Sequence, residues 1–357
     1  MISLRRHCKK IVLSLVIFVS ALAYLFREIT VKNHDPFVKI NRSKRRPVAT
    51  KTSVDTVDIV NDYYPFVDFK FVLPDVSPKV ETQNIFMIVL VNSGSKGNEF
   101  RKRREAIRQT WGGKDNCEQG KASRDKRLKD LNWLVIFALG KAGPGRNKDD
   151  ELNMAEASRH NDIMIGNITD NYYGNIIKLY MGIRWITRLN TKYIMKADDD
   201  VYVRIPRVLE YLVNAKFPKP FYGGTALPPT LVHREIGNKW TISWQYYGKT
   251  YYPRFNGGAF FILSSDLLKK LLNYVYIRKP FHTDDAYVGV AMNDLKVNVT
   301  KINSFRLKPK TRDYIRAASD CELLGYNAFG HRIDPQSLKN LHLRFQSHLC
   351  TNISLKC

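Results

Sequence analysis

Cysteine is scarce in this chain and acid is short. Five cysteines are spread over 357 residues. None stands in a Cys-x-x-Cys pair or at zinc-ligand spacing with histidine, which argues against a thiolate metal site. Asp and Glu number 33 against 58 Lys and Arg, a formal charge of +25. Nucleic acid is the generic partner for such an excess, but zinc-finger spacing and RNP-type motifs are missing. The charge is not confined to a tail either, since the first 80 residues hold 14 basic and 7 acidic residues and the remainder carries the rest. A phosphorylated substrate, anionic glycans or an acidic membrane accounts for it equally well. Internal repeats are absent. The loop Gly140 to Gly145 mimics a phosphate loop but lacks the Lys-Ser/Thr that would complete one.

One long apolar run is present, Ile11 to Phe26, broken only by Ser14 and Ser20 and preceded by Arg5, Arg6, Lys9 and Lys10. As a helix it spans roughly 24 Å, short for an average bilayer. The bulky Tyr24-Leu25-Phe26-Arg27 offers no small-residue cleavage site. The run therefore reads as an uncleaved transmembrane signal anchor at 11–26, with 1–10 a cytosolic tail and the body lumenal. Asn-x-Ser/Thr sequons at Asn41, Asn167, Asn298 and Asn352 agree with that compartment as N-glycosylation sites. With Cys8 on the cytosolic side, Cys117, Cys321, Cys350 and Cys357 remain, an even number whose pairing stays open. Residues 27–80 are polar and Pro-punctuated and read as a lumenal stem. Within them, Arg42 to Arg46 is a basic cluster that is either a solvated charge run or a processing site. Residues 81–357 read as one folded body.

From residue 84 strands and helices alternate. Strands are predicted at Ile85 to Val91, Trp133 to Leu139, Asp162 to Ile165 and Tyr193 to Lys196. Helices are predicted at Glu99 to Trp111, Asp150 to His160, Tyr172 to Leu189 and from Pro206 to about Asn214. Repeated units of this kind imply an α/β fold, Rossmann-like, with a mainly parallel sheet and helices on both faces.

Four constellations stand out. Asp198-Asp199-Asp200 ends a short apolar strand; adjacent acids repel, and a hard divalent cation with oxygen ligands is one physical reason to keep them. Arg101, Arg104 and Arg108 share one helix face and either meet phosphate or face solvent. Asp284-Asp285 opens a helix, as a cap or as a general base. Tyr251 to Phe260 sets aromatics before Gly257-Gly258, either for close approach to a sugar ring or as a bend before a buried strand.

These residues fall in blocks that resemble the β-1,3-galactosyltransferase family, which includes the β-1,3-N-acetylglucosaminyltransferases. Arg103-Arg104-Glu105-Ala106-Ile107-Arg108-Gln109-Thr110-Trp111-Gly112 resembles RRxAIRxTWG. Glu156 with Asp162-Ile163 resembles E-x5-D-I, and Met181-Gly182-Ile183-Arg184-Trp185 resembles MGxRW. Lys196 with Asp198-Asp199-Asp200-Val201 resembles KxDDDV. Lys239-Trp240, Tyr252-Pro253 and Gly257-Gly258 resemble KWY…YPxYxxG, and Asp284-Asp285-Ala286-Tyr287-Val288-Gly289 resembles EDVYVG. His331 with Pro335 and Cys350 resembles the terminal HxxxPxE…C. The blocks are collinear over roughly residues 84–350.

The resemblance implies a GT-A fold, a UDP-sugar donor, a divalent cation such as Mn2+, and a single-pass Golgi membrane protein with its catalytic domain in the lumen. By position it implies donor binding by Arg104, Arg108, Lys196, Asp198 and Asp199, metal binding by Asp200 and His331, and a sugar or acceptor pocket from Trp240, Gly257, Gly258 and Asp284. Asp285 takes the place of the base that deprotonates the acceptor hydroxyl. The expected activity is inverting transfer of galactose from UDP-galactose to a glycan hydroxyl in a β-1,3 linkage. Transfer of N-acetylglucosamine and an inactive lumenal glycan binder are the alternatives. Asp284 departs from the family Glu, Ala286 from its Val, and two family cysteines are missing, with Asn256 at one of the positions.

Overall fold

The computed structural model describes residues 63–80, 84–307 and 311–351. The apolar run at 11–26, the basic cluster at 42–46 and the sequons at Asn41 and Asn352 lie outside them. Among the described residues no helix is long and apolar enough to cross a membrane.

The strands are β1 (Pro74–Val76), β2 (Ile85–Asn92), β3 (Trp133–Lys141), β4 (Ile163–Thr169), β5 (Thr191–Asp198), β6 (Tyr202–Val203), β7 (Tyr222–Leu227), β8 (Thr230–Leu231), β9 (Tyr251–Tyr252), β10 (Phe255–Ser264), β11 (Val299–Lys301), β12 (Phe305–Arg306) and β13 (Ala328–Phe329). The helices are α1 (Asn98–Arg108), α2 (Cys117–Ala122), α3 (Asn147–His160), α4 (Asn175–Ile186), α5 (Ile205–Asn214), α6 (Leu268–Tyr274), α7 (Asp284–Asp294), α8 (Thr311–Ala317), α9 (Asp320–Leu324) and α10 (Pro335–Leu349).

Eight strands form the main sheet in the order β1-β4-β3-β2-β5-β10-β7-β11. β2 is a run of apolar residues buried on both faces, as a central parallel strand must be. It pairs in parallel with β3 and β5, and β3 pairs in parallel with β4. β10 runs antiparallel to β5 and to β7, and β11 returns parallel to β7. The expectation of a mixed α/β fold with a mostly parallel sheet holds, with β10 reversed in its middle. Because β10 is reversed, its amino end, and not its carboxyl end, arrives beside the end of β5.

Helices cover both faces. Ile107 of α1, Leu209 of α5, and Leu338 and Phe345 of α10 fill one apolar layer. Leu179 of α4, Leu271 of α6 and Tyr287 of α7 fill the other. The helix expected from Tyr172 begins with a 3-10 turn at Tyr172–Gly174, and α4 proper starts at Asn175.

The end of the expected stem belongs to the folded body. β1 pairs with β4 at the sheet edge and Val67 is buried. A three-residue edge strand opening on Pro has too little pattern to register in sequence, although Pro at a strand's first position is where a sheet tolerates it.

A second, smaller sheet of β12, β13 and β6 crosses the end of the first, with Tyr202 opposite Phe329 and Val203 opposite Ala328. Beside it a disulfide joins Cys117 of α2 to Cys350, the residue capping α10. Cys321 is disulfide-bonded as well. Losing the Cys117–Cys350 bond frees a loop of 233 residues in the unfolded chain, so Cys350→Ser should cost about 2–5 kcal/mol. In urea unfolding, Cys117→Ser should cost the same, and the double variant no more than either single one.

Candidate active site

Three chain segments meet at the carboxyl end of β5. Asn92 of β2 pairs alongside Asp198. The reversed β10 brings Gly257 and Gly258 to the same edge. The small sheet delivers a third element: Asp200 lies two residues before β6 and His331 two residues after β13, so pairing Tyr202 with Phe329 sets those flanking residues side by side. Carboxyl ends of strands are where α/β sheets take ligands.

The three consecutive acids have three different surroundings. Asp199 points into the scaffold: Ser93 Oγ donates to Oδ2 at 2.7 Å and Arg103 Nη1 to Oδ1 at 3.0 Å. Burial pushes its carboxyl up, against the pull of Arg103 and Ser93. Asp198 accepts from Lys196 Nζ at 2.5 Å. Burial, with Asp200 and Asp284 adding to it, raises Asp198 to about 7 despite Lys196. Asp200 is also disfavoured by burial, but His331, Arg103 and the Arg332 N–H outweigh that and hold its carboxyl below the usual range.

Ligand atoms of Asp198, Asp200 and His331 all lie within 4.8 Å of one another. Asp200 Oδ1 and His331 Nδ1 stand 3.6 Å apart, too far for a hydrogen bond, and both are buried without a hydrogen-bond partner. Two carboxylates and one imidazole, with two orphaned atoms facing each other, fit a divalent cation.

Lys196 is the buried counter-charge. Besides Asp198, its ammonium reaches the Gly258 carbonyl and lies 3.5 Å from Asp284 Oδ2. Burial alone would discharge it, but Asp198 and Asp284 hold its pKa above the ordinary lysine value. Asp284 and Asp285 open α7, where the helix dipole favours negative charge. Asp285 Oδ1 accepts from the Ala286 N–H at 2.8 Å. Its other oxygen faces Gly258, where an added Cβ would lie 2.8 Å from it. Burial first and Asp284 second raise Asp285 to about 6.

Two cavities adjoin across Asp198. One, of 480 Å³, holds Asp284, Asp285, Trp240, Gly257 and His331 in its wall. The other, of 400 Å³, is bounded by Asn92, Ser95, Phe100, Lys178 and the acids. Trp240 stands on the rim, 44% exposed. A larger groove of 780 Å³ beside α1 and α3 contains none of the acids, so size does not mark the site here.

Residues 102–303 match the galactosyltransferase family model. The chain belongs to the galactosyltransferase family. Human UDP-GalNAc:β-1,3-N-acetylgalactosaminyltransferase 1 is 32% identical over 235 residues, 65% of this chain and 66% of that protein. The chain thus spans just under two thirds of that relative's length. Mouse β-1,3-galactosyltransferase 1 is 26% identical over 66% of this chain and 68% of its own. A solved structure of the WbbM bifunctional glycosyltransferase resembles this one at a TM-score of 0.36 and 9% identity, covering 73% of this chain and 50% of its own.

Of the residues singled out in the sequence, Lys196, Asp198, Asp284, Asp285, His331, Trp240, Gly257 and Gly258 line one cavity, with Asp200 beside Asp198 and His331. Arg104 and Arg108 do not. Arg104 is fully buried, and its N–H donors go to Glu156, Asn153, the Gly94 carbonyl and Ser93 Oγ. Arg108 is held by Asp162 and Glu156. Both guanidinium groups are taken up by these partners, and the expected donor-binding role of the pair is corrected to one of scaffold. Asp199 borders the 400 Å³ cavity, with its oxygens already accepting from Ser93 and Arg103. The sequence carried a hint, because Glu156 and Asp162 form a motif of their own. Given no role from the sequence were Ser93, read only as part of a turn, and Asp170 and Lys178, which fall in the block that ends in Met181 to Trp185; this buried pair, 2.9 Å apart, anchors the Ser93 carbonyl and the Ser95 N–H.

Arg104→Met should therefore act on stability: about 3 kcal/mol is expected in urea unfolding, from the half-buried Glu156 carboxylate and the buried Asn153 left short of partners, with UDP affinity of the folded protein unchanged. Lost UDP binding at wild-type stability would return Arg104 to the donor site.

Proposed function

We propose that this chain is an inverting β-1,3-hexosyltransferase that moves a galactose-type sugar from a UDP donor to a glycan hydroxyl, with a GT-A arrangement of the nucleotide and a divalent cation such as Mn2+. The observation that carries this is the convergence of Asp198, Asp200 and His331 next to the half-buried Asp285, which shares a cleft with Asp198 and His331.

Asp198, Asp200 and His331 would hold the cation, which when bound supplies positive charge to the departing diphosphate. Asp285 takes the proton from the acceptor hydroxyl. The Ala286 N–H fixes one of its oxygens, and the other faces Gly258 on the wall of the cleft. Asp284 and Lys196 hold it in place, the one by closing the α7 turn and the other by tying that turn to β5. Trp240 offers an aromatic face to a sugar at the rim. The larger nucleotide fits the cavity on the far side of Asp198.

The relatives include one named for transfer of N-acetylgalactosamine and one named for galactose, and UDP-galactose is the donor we favour. UDP-N-acetylgalactosamine and UDP-N-acetylglucosamine are the competitors. Incubating the full-length chain with Mn2+, these three donors and a panel of glycan acceptors, then determining the linkage formed, tests the reading. Turnover of none would overturn it.

We place the protein in the Golgi membrane through residues 11–26, with the body in the lumen. The disulfide supports an oxidising compartment, and the exposure of Asn167 and Asn298 leaves both sequons open to glycosylation. Endoglycosidase treatment that fails to shift the mobility of the protein would contradict this orientation.

Asp285 works as a base only when ionised, and its pKa is raised to about 6. kcat/KM should therefore rise with pH through about 6 and level above it. Asp285→Asn should lower kcat by roughly 100- to 10,000-fold and abolish that rise, with UDP binding intact. Asp200→Ala should abolish cation-dependent turnover.

A further inference from the structure

Gly330 and Arg332 turn the chain sharply after β13, both with left-handed backbone, at φ 103° and 60°. The turn clasps Asp200: the Ile333 N–H donates to the Asp200 carbonyl at 2.9 Å. The turn demands left-handed backbone at position 332. Glycine meets that demand without strain, whereas a side chain there is disfavoured. The four other left-handed residues with side chains, Asn161, Lys216, Phe217 and Lys296, are absent from the walls of the two acid-bearing cavities. Arg332 lines the cavity with His331 and Asp198. Its guanidinium is exposed and forms no ion pair among the described residues, whereas Arg103, Arg104, Arg108, Arg204 and Arg344 are all paired. The strained backbone thus places an unpaired cation beside the acids, where the backbone alone would be better served by glycine.

We propose that Arg332 is a catalytic residue that binds the diphosphate of the donor. This rests on the transferase reading above and extends it. As the acceptor oxygen bonds to the sugar carbon, its proton passes to Asp285. The bond from that carbon to the phosphate oxygen breaks, and its electron pair leaves with UDP. Arg332 stays protonated throughout and donates hydrogen bonds to the phosphate oxygens, where a guanidinium fork matches the geometry. The residue adds a fixed charge from the chain itself at the leaving group.

Arg332→Gly separates the two roles of the position, because it keeps the turn and removes the cation. For the full-length chain, UDP affinity measured by calorimetry with Mn2+ should fall about tenfold or more, as for loss of a charge-assisted hydrogen bond. kcat/KM should fall about 10- to 100-fold, while the Tm equals or exceeds that of the wild type. Arg332→Lys should recover part of the UDP affinity. Unchanged UDP affinity in Arg332→Gly, with the wild type binding UDP, would overturn the role of Arg332 alone. A rise in acceptor KM without loss of UDP affinity would overturn it too, by moving the cation to an acidic acceptor. A wild type that binds no UDP would sink the transferase reading and this role together.

Discussion

The site depends on one buried ammonium. Lys196 and Asp198 are two apart on β5 and so project from the same face, and the chain sets them in contact. The same ammonium reaches Asp284 and the Gly258 carbonyl, which tie it to α7 and β10. Asp198, Asp284 and Asp285 would otherwise be three carboxylates in a desolvated corner, where ionisation of one opposes ionisation of the next. Lys196 offsets part of that repulsion. It also fixes how close α7 comes to the sheet, and with it where Asp285 stands relative to the cation ligands. A buried ion pair of this kind adds little net stability; its effect here is positional.

Much of this is legible in the amino-acid sequence. Continuous apolar runs mark β2, β3 and β5, and the acid triplet marks the ligand edge. What sequence cannot show is that Asp198, Asp199 and Asp200 separate. At a strand end the chain turns, so neighbouring side chains leave in different directions: one toward Lys196, one toward Arg103 and one toward His331. His331 comes from resemblance alone. Its physical route is the pairing of β6 with β13, a two-residue ladder between segments more than a hundred residues apart, and no local pattern encodes such a ladder. For Arg104 and Arg108, helical spacing shows that they share a face but not what that face meets. It meets α3, whose Glu156 is too buried to be left without cations.

Gly257 and Gly258 show how a correct location can carry the wrong reason. They line the cleft, as a sugar-binding reading requires. Yet a Cβ on Gly257 would lie 2.4 Å from Leu307, and one on Gly258 would press on the Asp285 carboxylate. Both glycines are explained by protein packing, and the second by the need to bring the α7 terminus hard against β10. Close approach is real, but it is the Asp285 carboxylate that approaches.

The two raised carboxyls answer to different neighbours, and this orders the assembly of the site. Asp198 is raised by burial, Asp200 and Asp284, and Asp285 by burial and Asp284. Asp200, by contrast, is held below the ordinary range by His331 and Arg103. One desolvated corner therefore sets three neighbouring carboxyls apart: each is penalised by burial, and the charges each one faces decide whether it stays ionised as readily as in water.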